Sequence, residues 1–386
     1  EHFCPDGAQA EESDRQTLTA PRLAACSRHV LQCHNELMWR GLIEEYRPFL
    51  PVEHATPVIT MLEGGTPLLP SRLGTPYGIR IGVKYDAANP TGSFKDRGMT
   101  VAVSKALEAK ASGIICASTG NTAASAAAYA ARAGFRCVVL LPARGVATSK
   151  LVQSLASGAL IIPIRAPFDR VLRLARQAAT RFGLTLVNSV NPHRLAGQKT
   201  VAFEICDVLG RAPEALAVPV GNAGNITACW LGFKDYRSAG RIDRLPRMIG
   251  VQAAGAAPLV RGRPVSQPRT VASAIRIGRP ATWEGAVQAI AESGGQFVAV
   301  SDDEILQAQV ALAGEGLFVE PASAASVAGT FKLAREGAAP SEVICILTGH
   351  GLKDPEVVLA RATAPRSIPP TLDALASRLS GTPSRR

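Results

Sequence analysis

From about residue 80 the chain alternates short apolar runs with helix-length stretches, and this alternation limits its fold more than any other feature. Strands are expected at Ile114–Ala117, 136–141, Leu160–Ile164, 184–188 and 216–220, with helices at 122–132, 147–157, 168–182, 195–209 and 224–238. A last helix and strand are expected at 321–335 and 343–348, and a short amphipathic helix precedes the series at 39–46. Strands separated by helices of this length cannot pair as hairpins. They form parallel sheets with helices on both faces, so the expected fold class is α/β. At 386 residues the chain exceeds one ordinary core, and two domains are expected. The tail from about 364, with Pro365, Pro369, Pro370 and a terminal Arg385-Arg386, reads as a loose basic end.

Composition narrows the partners. The net charge is +11, but the basic residues are scattered and aromatics make up only 5%. No nucleic-acid motif accompanies them, so no nucleic-acid partner is expected; phosphorylated or carboxylated small molecules suit this charge. No run of 18 apolar residues is free of polar breaks, so no membrane span is expected. Glu11, Glu12 and Asp14 interrupt any secretion signal, which points to the cytoplasm. Of eight cysteines, Cys116, Cys137, Cys206, Cys229 and Cys345 lie in apolar stretches and read as buried thiols. Cys4, Cys26 and Cys33 lie near His29 and His34 but form no C-x-x-C pair, so residues 1–37 read as a partly disordered extension and no metal is expected.

Four loops carry the chemistry, each joined to an expected strand. In "NPTGSFKDRGM" (89–99) a turn precedes a helix start that Ser93 can cap, and Lys95 falls in the first turn. The helix dipole disfavours a cation there, which fits a partly buried reactive amine; a surface lysine paired with Asp96 or Glu63 is the other reading. "STGNT" (118–122) offers hydroxyls, an amide and free N–H groups at a helix N-terminus, suited to a carboxylate. "GNAGN" (221–225) lets backbone N–H groups approach a phosphate, without being a G-x-G-x-x-G or G-K-[ST] loop. "LTGHGLKDP" (347–355) ends the last strand; Thr348 can offer a hydroxyl to a ring nitrogen, and His350 in its glycine setting reads as structural rather than catalytic.

Together these stretches, with "NSVNPHRLAGQKT" and "EPASAASVAG", resemble in order and content the fold-type II family of pyridoxal phosphate (PLP) enzymes. The likeness is strongest to its threonine synthase branch and spans residues from about 89 to 355. It implies two domains, each a largely parallel twisted sheet covered by helices: a large one from 38–97 and 191–363 that binds PLP, and a smaller mobile one from 98–190. It implies Lys95 as the Schiff-base lysine and Asn121 as partner of the cofactor's phenolic oxygen. Gly221, Asn222, Ala223, Gly224 and Asn225 are implied to cradle its phosphate, and Thr348 to contact its ring nitrogen. Ser118, Thr119 and Thr122, with Asn121, are implied to take the substrate carboxylate. Asn188, Ser189, Arg194 and Asn222, with Lys150 as a further candidate, are implied to take the distal phosphate of O-phosphohomoserine. The implied activity is conversion of that substrate and water to threonine and phosphate by a homodimer. Another PLP-dependent elimination, dehydration or β/γ-replacement remains the alternative.

Overall fold

A computed structural model describes residues 38–143 and 151–380. The N-terminal extension, Lys150 and the terminal Arg385-Arg386 lie outside the described residues, as do the three N-terminal cysteines and their histidines. From Gly41 onward the chain forms one compact unit. Its described residues form two sheets. The larger contains β1 (Leu68–Ser71), β2 (Arg80–Lys84), β7 (Ala215–Pro219), β8 (Arg247–Ala253), β9 (Gln296–Val300) and β10 (Glu342–Ile346), ordered β1-β2-β10-β7-β8-β9. The smaller contains β3 (Ile114–Ala117), β4 (Cys137–Pro142), β5 (Leu160–Ile164) and β6 (Thr185–Leu186), ordered β5-β4-β3-β6. Every pairing is parallel except β1 with β2.

Burial explains the arrangement. All residues of β3, β7 and β10 are buried, as strands covered on both faces must be. The edge strand β5 is half-exposed and carries Pro163, which is tolerated where no further ladder partner is needed. β1 escapes sequence recognition because its four residues include Pro70 and it is an antiparallel edge. Between residues 240 and 320, where the sequence reading assigns no element, the structure places β8, β9 and the helices Trp283–Ser293 and Asp302–Gly314.

Several boundaries differ from expectation. The helix expected over 39–46 covers Leu42–Glu45, and the one expected over 195–209 is two helices, Pro192–Gln198 and Thr200–Leu209. The strand expected over 184–188 shortens to β6, because the Asn188 side chain, rather than a longer ladder, satisfies the backbone of Ala117. The expected loose tail contains the helix Leu372–Ser380, none of whose side chains is buried. The helices Lys95–Glu108 and Pro192–Gln198 cross backbone against backbone. A Cβ on Gly98 would lie 2.6 Å from the Arg194 carbonyl oxygen, and one on Gly197 would collide with that of Arg97. This crossing brings Lys95 and Arg194 to one cavity.

Candidate active site

A cavity of about 330 Å³ opens at the C-terminal ends of β3 and β7, where α/β sheets place their ligands. It is lined by Lys95, by Ser118, Thr119, Asn121 and Thr122, by Asn188, Ser189 and Arg194, by Gly221 through Asn225, and by Thr348. All the expected site residues that are described therefore meet in one place. His350 is outside this lining; its Nδ1 accepts from the Leu352 N–H at 3.2 Å and its ring stands edge-on to Phe318.

Lys95 opens its helix, with the preceding Phe94 ring 3.9 Å from Nζ. Neither expected surface partner engages it. Asp96 accepts from the Thr91 N–H and hydroxyl at 2.7 and 2.6 Å and from Ser125 Oγ at 2.6 Å. Glu63 accepts from Tyr129 and Thr60. Ser93 does not cap the helix; its buried Oγ has no hydrogen-bond partner. Lys95 is only partly exposed, through the cavity. Burial, then the Arg194 guanidinium, push its ammonium down to about 7, with Glu320 opposing. An amine held there switches charge near neutrality, as a base at a carbon acid must.

Arg97, two residues on, anchors this helix. Its guanidinium donates to both oxygens of Asp86 and both of Glu204, and Lys84 lies 2.6 Å from Glu204. All four side chains are buried.

The cradle follows β7. Ala223 adopts φ 66°, a left-handed conformation that costs energy for a residue with a side chain. Such a turn aims successive N–H groups at one point, here at the start of helix Gly224–Ser238, whose first-turn N–H groups have no partner within the helix. The buried Asn225 Nδ2 beside them also lacks a partner. An orphaned amide, first-turn N–H groups and strained backbone converge as a phosphate needs, so the residues present fit the phosphate of PLP.

Arg194 is 1% exposed, donates through Nη1 to the Val187 carbonyl at 3.1 Å, and leaves its buried Nε unpartnered. Burial lowers its proton affinity to about 10, with Cys116 and Asp96 opposing, so it remains a cation at neutral pH. Asn188 is different: its amide exchanges two hydrogen bonds with the Ala117 backbone, at 2.9 and 2.8 Å, and so shapes the wall. No side chain caps helix Asn121–Arg132, which leaves its N-terminus facing the cavity with Ser118, Thr119 and Thr122. Thr348 Oγ1 lies 3.0 Å from Ser323 Oγ.

Sequence reasoning missed Glu320, Lys353, Gln198 and the segment Ser273 to Ile277, which also line the cavity. The Glu-Pro of "EPASAASVAG" was the available signal for Glu320; the 273–277 segment carries none.

A lysine and a glycine-bearing turn suited to a phosphate, lining one cavity of paired α/β sheets, fit a PLP-dependent enzyme. The chain belongs to the pyridoxal-phosphate dependent enzyme family, whose model matches residues 59–349. Its relatives narrow this to the threonine synthase branch. It is 58% identical over 324 residues to threonine synthase of Synechocystis sp., covering 82% of this chain and 84% of that one. It is 53% identical to threonine synthase of Halalkalibacterium halodurans, covering 83% and 92%, and 49% identical to that of Methanocaldococcus jannaschii, covering 86% and 84%. Among solved structures, maize serine racemase superposes with a TM-score of 0.67 at 20% identity, covering 77% of this chain and 91% of that one. The processed form of threonine deaminase isoform 2 from Solanum lycopersicum superposes with 0.68 at 22% identity, covering 83% and 88%. Likeness at these identities shows the fold alone.

Proposed function

We propose that the chain is a threonine synthase, converting O-phospho-L-homoserine and water to L-threonine and phosphate. One observation carries this reading. The Lys95 amine lines a cavity that also holds two groups suited to anions, the Gly221–Asn225 cradle and the unpartnered Nε of Arg194. A cofactor phosphate needs one of them, and a phosphorylated substrate gives the second a purpose.

Lys95 would hold PLP, with Gly221 through Asn225 at its phosphate, Asn121 at its phenolic oxygen and Thr348 at its ring nitrogen. The bound cofactor supplies an electron sink for the pair left behind when the substrate's Cα loses its proton. The remaining work belongs to side chains. Neutral Lys95 Nζ would take the proton from Cα, give it up, and then take one from Cβ as phosphate leaves Cγ with the C–O electron pair. A proton would then return to Cγ, water would add its oxygen at Cβ and pass its spare proton to the released phosphate, and the Cα proton would be restored. Arg194 holds the departing phosphate by charge-assisted hydrogen bonds from Nε, aided by Ser189 and Asn222. The uncapped start of helix Asn121–Arg132, with Ser118, Thr119 and Thr122, orients the α-carboxylate.

The smaller sheet, with residues 98–190, is read as a domain that moves against the rest. Its helix Val152–Ala156 meets the larger part where Gln153 accepts from Lys353 of the loop after β10. Homodimerisation, a cytoplasmic location and the absence of a nucleic-acid partner belong to the same proposal. No helix among the described residues is long and apolar enough to cross a membrane. Phosphate release from O-phosphohomoserine by wild type and Lys95→Ala tests the reading: release by the variant at the wild-type rate would sink it.

A further inference from the structure

Three segments that are remote in sequence are stitched together beside Lys95. The Phe94 N–H donates to the Thr348 carbonyl at 2.9 Å and the His350 N–H to the Gly92 carbonyl at 3.0 Å. The Glu320 N–H donates to the Gly349 carbonyl at 3.0 Å and the Gly351 N–H to the Phe318 carbonyl at 3.0 Å. Gly349 lies at the centre, bridged to Ser93, while Val319 is bridged to His350. The stitching leaves a space that the Glu320 carboxyl fills. A Cβ on Gly349 would lie 2.5 Å from Glu320 Oε1 and 3.3 Å from Asn121 Nδ2. Glu320 is 3% exposed, lines the cavity, and accepts from Asn121 Nδ2 with both oxygens, at 3.0 and 3.2 Å.

A buried carboxyl at this place is costly and its geometry is specific. Of the charged groups lining the cavity among the described residues, Lys95, Arg194, Arg276 and Lys353 are cationic and Glu320 alone is acidic. We propose that Glu320 is a positioning residue of this site: it fixes the Asn121 amide by its nitrogen and sets a negative charge against the cavity's cations. The proposal rests on the reading of this cavity as a PLP site.

The consequence for Lys95 follows from charge. Burial pushes the Glu320 carboxyl up to about 7, against the hydrogen bond from Asn121 and the charge of Lys353, with Asp354 adding to the rise and Lys95 opposing it. Glu320 in turn favours the charged form of Lys95, which burial and Arg194 disfavour. The two groups thus titrate in one range and as a coupled pair. An ionised Glu320 steadies positive charge at the lysine nitrogen; a protonated one releases it. The orientation of Asn121 is coupled to the same proton, because a protonated carboxyl offers Nδ2 a weaker acceptor.

The test is a pH titration of the visible absorbance of the PLP-loaded protein, in wild type, Glu320→Gln, Glu320→Asp and Glu320→Ala. Glu320→Gln keeps an acceptor for Asn121 but removes the charge, so its spectral midpoint falls by about half a unit or more. Glu320→Asp retains the charge and keeps a midpoint closer to wild type. Glu320→Ala loses the acceptor as well, and releases PLP on dialysis roughly tenfold faster than Glu320→Gln. A coloured Glu320→Gln protein with the wild-type midpoint overturns the inference and leaves the PLP reading intact. A wild type that takes up no PLP overturns that reading, and the inference with it.

Discussion

At the scale of single residues, two cations in one cavity do different work because their surroundings differ. Lys95 has been brought down to about 7, while Arg194 at about 10 stays charged. The neutral amine is the competent base, so kcat/KM is expected to rise with pH through about 7 and level off above it; a profile that falls across this range would contradict the assignment. Arg194→Met should raise KM for O-phosphohomoserine by roughly 10- to 100-fold, the cost of a lost charge-assisted hydrogen bond, with a smaller effect on kcat. It also removes a buried guanidinium that no carboxylate pairs. With the cradle filled by PLP, inorganic phosphate should therefore raise the Tm of the PLP-loaded wild type and leave that of PLP-loaded Arg194→Met unchanged, which thermal scans with and without phosphate would show. Lys95 was legible in sequence because the turn before it announces a helix start, and Arg194 because "NSVNPHRLAGQKT" is part of the family resemblance. Glu320 was not, since its place depends on backbone bridges to residues near 93 and 349. No local pattern encodes such a bridge.

At the scale of elements, the site depends on how the helix of Lys95 is held. Its crossing with Pro192–Gln198 requires two glycines, and the buried Arg97 network ties it to β2 and to helix Thr200–Leu209. Gly197→Ala forces a Cβ onto the Arg97 carbonyl and should destabilise the protein by about 1–3 kcal/mol, lowering Tm without changing which substrate is preferred. In the network, burial opposes ionisation of Glu204, yet Arg97 and Lys84 hold its carboxyl down to about 2. Because the folded pKa lies below the ordinary value of 4.5, this stabilisation is complete above about 4.5 and is lost as pH falls towards about 2. Denaturant titrations across that window should show a shallower acid limb in Glu204→Gln, whose stability at neutral pH is lower because Lys84 loses its carboxylate partner and Arg97 keeps only Asp86. An unchanged limb would mean the network is not ionised as described. Contiguous strand–turn–helix units such as β3 and β7 with their loops were readable from sequence, since burial on both faces makes short continuous apolar runs. β1 was not, as its pairing depends on β2 rather than on its own residues. The single helix expected over 195–209 breaks at Lys199, where tertiary packing overrides local propensity.

At the scale of the molecule, two largely parallel sheets present the ends of β3 and β7 to one cavity, and four cations among the described residues face it. Two phosphates and a carboxylate are the anions the proposed reaction would bring together, and Lys95, Arg194, Arg276 and Lys353 line the cavity that would hold them. The proposed homodimer should appear in light scattering as twice the chain mass; a monomer at micromolar concentration would contradict it. The α/β class and the meeting of the loops were foreseeable from the alternation of elements. The cavity's second wall, Ser273 to Ile277, was not, because it comes from an irregular segment without periodicity. The second anion position is expected to select a phosphorylated substrate. The most direct test of this compares, on one PLP-loaded preparation, phosphate release from O-phosphohomoserine with 2-oxo acid formation from serine and threonine. The expected kcat/KM for O-phosphohomoserine is higher by about 100-fold or more, the value of one buried charge-assisted contact. Equal or faster turnover of serine or threonine would contradict it.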